Sequence, residues 1–287
     1  MQYSLDSKEN IIQQYIDYEI TILFLASYIV TTCACSQEMT DTVDVRVQYH
    51  ALYKLTLEQK ETFDDINMLD IGKHSSRFYS QRYEQFLSMR DSVKNLASDP
   101  MSYLKFLGDR FGSKKGREYE VYKHIPQKGV LTYTDVLHND FFFCYEEPIP
   151  AFSWELVEGD TLIISYPCHK AVCKFRGRTW TAWYTLELPF DNGPWKLGGL
   201  PRLILCAFES RNEFSFVATG IEQLQETTTI RFRPKRYERL TPTKFQLLLK
   251  DYWKDQWNTT NRLLGSEYSD PPKAQRSFNV CLMDEYE

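Results

Sequence analysis

The residue types best suited to recognition chemistry in this chain sit in the run KFRGRTWTAWY, from Lys174 to Tyr184. Arg176 and Arg178 flank Gly177, and Trp180 and Trp183 follow. A guanidinium grips an anion through paired N–H donors, and an indole face attracts cations. Two readings compete. In one, Gly177 turns a β-hairpin and both arginines are solvated at its tip. In the other, arginine and indole form an anion- or carbohydrate-facing patch, although Trp180 and Trp183 must point to opposite faces of an extended strand.

The run PCHKAVC, Pro167 to Cys173, offers metal-ligand residue types. Cys168 and His169 are adjacent, so on a strand they face opposite ways and cannot share one ion without a bulge. No metal site is expected. Cys168 and Cys173 are separated by an odd number of positions, so a local disulfide between them is disfavoured, and a bond to a distant strand fits better. The other histidines, His50, His74, His124 and His138, are scattered. The Glu146-Glu147 pair and Asp140 carry no readable signal, since acids at strand ends are usually solvated. Phosphate-cradling glycine motifs, the H-E-x-x-H zinc motif, C-x-x-C and the G-x-S-x-G elbow are all absent from the sequence. No catalytic residue and no cofactor is assigned on this basis.

The elements that must position these residues are mostly strands. Of 287 residues, 43% are hydrophobic and 15% aromatic, which excludes a disordered chain and favours pleated structure. A net charge of −5 argues against nucleic acid as a partner. Val45, Val47, Tyr49, Ala51 and Tyr53 alternate with Arg46, Gln48 and His50 and predict a half-buried strand. A second strand is expected over Ile66–Ile71, with Gly72-Lys73 as its turn. Helical spacing within SQRYEQFLSMRDSVKNLAS and MSYLKFLGDRF predicts a helical insertion at about 80–110. From Glu118 onwards, short runs rich in aromatic and β-branched residues recur about every ten positions, as in an antiparallel meander. In WTAWYTLEL, Trp180, Ala182, Tyr184, Leu186 and Leu188 are expected on one face. Thr243 and Gln246 resemble a capping box and open a helix over 243–258 that packs on the sheet. A polar tail over 265–287 is expected to cross the surface. The fold class is mainly β, of the α+β kind: a curved antiparallel sheet, half-open barrel or sandwich, with an internal helical segment and a C-terminal helix.

The N-terminus predicts a compartment. Ile20–Val30 is uncharged, mostly apolar and too short to span a bilayer, and Ala34-Cys35-Ser36 has the form of a cleavage site. Residues 1–36 are read as a signal peptide cut before Gln37, leaving a single domain over 37–287 that is not an integral membrane protein. Its leading segment is atypical, with Asp6, Glu9, Asp17 and Glu19 against Lys8. Either the true start lies after Met1 or the run is a buried helix. A lipid anchor on Cys33 or Cys35 is a further alternative, weakened by a poor lipobox. After cleavage Cys144, Cys168, Cys173, Cys206 and Cys281 remain, an odd number.

One stretch, GPWKLGGLPRLIL, from Gly193 to Leu205, concentrates turn residues ahead of an apolar strand. Gly193 is expected to supply positive φ, Pro194 to fix the turn, Gly198-Gly199 to bend the chain, and Trp195 with Leu197 to cover the bend. With the preceding RGRTWTAWYTLELPFDN, it resembles the GLPGLI family, exported proteins of unknown function from Bacteroidetes-type bacteria. The hexamer reads Gly199-Leu200-Pro201-Arg202-Leu203-Ile204, with Arg202 in place of the family's second glycine. The resemblance is specific over about 160–220 and looser over 72–93 and around EEPIPAFSWEL. It implies export across the inner membrane of a diderm bacterium and no particular activity.

The expected function is therefore a periplasmic or outer-membrane-associated module. It would be non-enzymatic and would bind an apolar or amphipathic, lipid-like ligand or a cell-envelope protein. Arg176, Arg178, Trp180, Trp183, Trp195 and Arg202 are the candidate binding residues. Gly193, Pro194, Gly198, Gly199, Leu200 and Pro201 shape the motif. The alternatives are a hydrolase or thiol enzyme using Cys168 with His169 or His124, and a purely structural or envelope-stress protein.

Overall fold

A computed structural model describes residues 40–93, 100–112, 115–137, 141–224, 228–232, 237–264 and 277–284. The expected leader over 1–36, His138 and Asp140 lie outside the described residues. The rest is mainly β, as expected: a large, mostly antiparallel open sheet, not closed into a barrel.

Two meanders make this sheet. The first runs β1 (Thr40–Tyr53), β2 (Phe63–Gly72), β3 (Ser76–Ser80), β4 (Glu120–Lys123), β5 (Val130–Leu137) and β6 (Phe141–Pro148). The second runs β7 (Glu155–Ile163), β8 (Tyr166–Phe175), β9 (Arg178–Tyr184), β10 (Ile204–Glu209) and β11 (Phe214–Gln223). They join where β1 pairs antiparallel with β11, so β7 ends one edge of the sheet. β12 (Thr229–Arg231) pairs with the start of β1, and β13 (Glu238–Arg239) runs parallel to β6 at the other edge.

Cross-strand registers explain the core. Val47 stands opposite Leu69, Leu69 opposite Phe78, Phe78 opposite Val121, Val121 opposite Tyr133 and Tyr133 opposite Tyr145. This row of one face is apolar or aromatic across six strands, and every member is buried. From Ala51, on the same face of β1 as Val47, a second row crosses into the other meander through Phe216, Ala207, Ala182 and Ala171. The small side chains leave room on that face for other chain to pack. The connection from β9 to β10 fills it: Trp195, Leu197, Leu200 and Leu203 are buried there. Trp195 lies against Trp180, ring centroids 5.5 Å apart, and against Phe175 at 5.9 Å. Tyr49, below, donates to the carbonyl of Ile204 at 2.6 Å.

Four helices are described. α1 (Gln81–Val93) and α2 (Pro100–Phe111) form the insertion expected at about 80–110. The helix expected over 243–258 is two, α3 (Pro242–Lys254) and α4 (Gln256–Leu264). The break is Asp255, whose carboxylate accepts the Asn258 N–H at 2.9 Å and so starts a new helix. The cap of α3 is Thr241, whose hydroxyl accepts from Lys244 N, with Pro242 in the first turn. Thr243 is therefore not the cap, and the Gln246 amide donates to the Asp284 carbonyl instead. Phe245 anchors α3 on the aromatic row, 5.7 Å from Tyr133 and 5.6 Å from Tyr145.

Three further expectations are corrected. The strand beginning at Trp180 stops at Tyr184, and Leu186 is exposed, because Thr185 turns the chain by accepting the Glu187 N–H on its hydroxyl. SRFYS, to which the sequence assigns no element, is β3, an interior strand between β2 and β4. The C-terminal segment 277–284 does not merely cross the surface: Cys281 is buried, Val280 bridges to Thr56, and the Cys281 N–H bonds the Leu55 carbonyl at 2.9 Å.

Candidate functional site

Between β8 and β9 the expected hairpin is present, with Arg176 at φ 50 and Gly177 at φ 72. Its arginines are not solvated at the tip. Arg178 is buried, pairs with Glu213 at 2.8 Å and Glu209 at 3.2 Å, and stacks over Phe214. Its ionised form is favoured by these acids against the cost of burial. Arg176 turns inward and meets Glu147 at 2.5 Å and Asp284 at 3.4 Å. Trp180 is wholly buried beside Trp195, while Trp183 lies partly exposed with Lys170 5.8 Å from its ring. Arg202 is exposed. The six candidate binding residues therefore do not share one surface. Arg178, Trp180 and Trp195 are interior, and Trp183 and Arg202 lie elsewhere.

What sequence inspection missed is Lys196. Its side chain is fully buried, 2.6 Å from Glu147 and hydrogen-bonded to Asp284. The rings of Tyr145, Tyr133 and Trp195 surround it at 5.0, 5.6 and 5.6 Å. With Arg176 this makes two cations and two carboxylates, closed on each other. Such a cluster holds four segments of the chain together. It leaves little freedom to act on a substrate.

The turn-rich stretch has a different outer side. Gly193 needs no positive φ; it is a glycine because a Cβ there would stand 2.9 Å from Ile204 Cδ1. Gly199 does adopt positive φ, +76, and a Cβ there would come within 3.3 Å of the Phe152 ring. Pro194 accepts the Leu197 N–H at 3.1 Å, closing the turn that carries Trp195. Leu200 is buried, and Pro201 and Arg202 are exposed. Arg202 is outside the positive-φ set, so an arginine fits where the resembled family has glycine.

Gly198 and Gly199 form one wall of a cleft of about 390 Å³. The turn Gly72–Ser75 after β2, the end of β4 with Lys123 and His124, the Ile149–Phe152 segment after β6 and Pro189–Asn192 supply the rest. Ile149, Pro150, Phe152 and Phe190 give it apolar walls. At its side Lys123 Nζ donates to Asn192 Oδ1 at 2.7 Å and to the Leu197 carbonyl at 2.6 Å. Burial pushes the Lys123 amine down to about 7, with Asp191 opposing the shift only in part. Burial, with Lys123 and Lys128 nearby, also lowers His124. The cleft is therefore amphipathic, with apolar walls and a basic side.

Thiol chemistry finds no such support. Cys168 donates to the carbonyl of Tyr166 at 3.4 Å, and burial raises its thiol to about 11, away from the thiolate form. His169 faces solvent and bonds Asp160 at 2.8 Å. Cys144, Cys168, Cys173, Cys206 and Cys281 are free and buried, so the expected bond to a distant strand is not formed. Among the described residues no group of three or more His, Cys, Asp and Glu side chains is placed to hold a metal ion. No described helix is long and apolar enough to cross a membrane.

No family model and no curated protein matches the sequence. Among solved structures, the chain is similar to PNGF-II in two crystal forms. The TM-scores are 0.46 and 0.45 at 12% identity, over 71% of this chain. The chain spans only 32% and 33% of the two PNGF-II chains, about a third of their length. A likeness this distant supports no statement about activity.

Proposed function

We propose that this chain is a non-enzymatic binding module of the cell envelope, a member of the GLPGLI family, and that it holds an amphipathic small molecule in the cleft beside Gly198 and Gly199. The observation that carries this reading is the double use of one loop. Its inner side, through Trp195 and Leu197, plugs the core, while its outer side forms the wall of the cleft. A rigidly seated loop keeps a site preformed, which is how small-molecule pockets are usually built. Apolar walls with a few polar groups at one side fit a ligand with a greasy body and a polar head.

The test is native mass spectrometry of the chain purified from an envelope fraction. A co-purifying mass of lipid-like size is expected, reduced when Ile149→Trp narrows the cleft. Bare protein mass, together with no displacement of anilinonaphthalene sulfonate by medium-chain amphiphiles, would refute the reading. Export is tested separately by fractionation: the processed chain should begin at Gln37 and stay outside the cytosol.

A further inference from the structure

Lys123 sets the chemistry of the head group. Its side chain is more than nine-tenths buried, yet both of its hydrogen bonds go to neutral acceptors, Asn192 Oδ1 and the Leu197 carbonyl. Among the described residues no carboxylate lies within ion-pair distance of it. This contrasts with the other interior cations: Arg77 has Glu120 and Glu84, Arg178 has Glu209 and Glu213, and Lys196 has Glu147 and Asp284. Asp191, the nearest acid of the cleft, spends one carboxylate oxygen on the Gly199 N–H at 2.8 Å.

An ammonium carries three donors, and Lys123 commits two. Beside the amine stands Gly198, where an added Cβ would lie 3.6 Å from Nζ and 4.0 Å from Asp191 Oδ1. A side chain here would pack on the amine, and glycine adds none where both residues line the cleft. The remaining charges of the cleft are Lys73, His74, His124 and Asp191, with Lys196 already neutralised by its own acids. The cleft thus has a surplus of basic groups around one buried amine that lacks a counter-ion.

We infer that the ligand is an amphipathic anion whose acidic head, carboxylate or phosphate, pairs with Lys123 beside Gly198 while its apolar body lies along Ile149, Phe152 and Phe190. This deepens the proposed function and rests on it. A buried cation left without a counter-charge is costly, and an entering anion removes that cost as well as adding a charge-assisted hydrogen bond. The lowered proton affinity of Lys123 agrees with this, because anion binding must then draw a proton onto the amine.

The experiment compares dodecanoate, dodecyl phosphate and dodecanol by titration calorimetry on the full chain, in two buffers of different ionisation enthalpy at about pH 8. At least one anion should bind roughly tenfold or more tighter than the alcohol. Its binding should take up a proton, and that of dodecanol should not. Which anion binds better assigns the head as carboxylate or phosphate. Lys123→Met should abolish both the preference and the proton uptake. Gly198→Leu, which covers the amine without removing it, should do the same and guards against a folding defect in the first variant. Equal binding of anions and alcohol without proton uptake overturns this inference and leaves the cleft reading standing. Binding of none of the three overturns both.

Discussion

Lys196 Nζ lies 2.6 Å from Glu147 Oε1, although the two residues are 49 positions apart and belong to different meanders of the sheet. Arg176 and Asp284 complete the cluster, so removing any single member leaves its charges unbalanced. Lys196→Met leaves two carboxylates facing one arginine, and Glu147→Gln leaves two cations facing one acid. Each single variant should lose about 3–5 kcal/mol, as expected when one partner of a buried pair is removed. The double variant should lose clearly less than the sum, because it removes one charge of each sign. Urea unfolding of the two single variants and the double variant checks this, and strict additivity would show that the cluster does not act as a unit.

The C-terminal strap is predicted to be part of the folded unit and not an appendage. Phe278 N–H bonds the Trp253 carbonyl, Leu57 N–H bonds the Asn279 carbonyl, and Arg178 reaches the Leu282 carbonyl at 2.5 Å. Roughly 1 kcal/mol net for each neutral bond, and more for those to charged groups, gives a loss of about 5 kcal/mol on deleting the chain from residue 277. Thermal unfolding should fall accordingly. A truncated chain that melts at the full-length temperature would contradict the burial of Cys281.

The sequence disclosed elements wherever one face was wet. β1 alternates buried Val45, Val47, Tyr49, Ala51 and Tyr53 with half-buried Arg46, Gln48, His50 and Leu52, and period two is legible there. β3 was invisible because all five residues of SRFYS are buried, so no alternation exists to be read, and the run has no β-branched residue to mark it as the comparably buried β4 and β5 have. The candidate patch failed for a related reason. Arg178 looks like a hairpin-tip arginine until Glu209 and Glu213 arrive from other parts of the chain. Glu147 looks like a solvated acid until Lys196 and Arg176 reach it. The cleft was half legible: turn chemistry marked Gly198 and Gly199, but Lys123 stood in an ordinary strand run. Leu197, its partner, comes from a connection 74 positions further along the chain.

Glycines of the turn-rich stretch should differ in tolerance. Gly193→Ala places a methyl 2.9 Å from Ile204 Cδ1 and 3.0 Å from its Cβ, so overpacking should cost about 1–3 kcal/mol. Gly199→Ala meets Phe152 and a φ of +76, and should lose about 1–2 kcal/mol from backbone strain. Arg202→Gly, which restores the hexamer of the resembled family, should change stability by under about 0.5 kcal/mol, since Arg202 is exposed and free of positive φ. The ranking is checked by chemical denaturation of the three variants.

Five buried thiols predict an alkaline limit. Burial raises Cys168 and Cys281 to about 11, and Cys173 and Cys206 to about 12, from an ordinary value near 9. Their folded values lie above their unfolded ones, so the unfolded chain releases protons first. Stability is whole below about pH 9 and falls as pH rises towards 12. The native thiols should resist Ellman's reagent at pH 8 and all react once the chain is unfolded. Prompt reaction of Cys168 in the folded chain would revive the thiol reading.

Lys123 acts in the opposite direction. Its folded value, about 7, lies below its unfolded value of 10.5, so the unfolded chain binds the extra proton between those limits. Stability from this group is complete above about pH 10.5 and is lost as pH falls towards 7, by up to about 1.4 kcal/mol per pH unit. Thiols and tyrosines change stability over the upper part of the same range, so wild type must be compared with Lys123→Met, in which those groups are unchanged. From pH 7 to 9 the wild type should gain about 2–3 kcal/mol relative to the variant. A saturating amphipathic anion should abolish that gain, because it holds the proton on the amine. A flat difference without ligand would mean that Lys123 is already charged in the folded chain, and that the cleft holds a counter-ion from elsewhere.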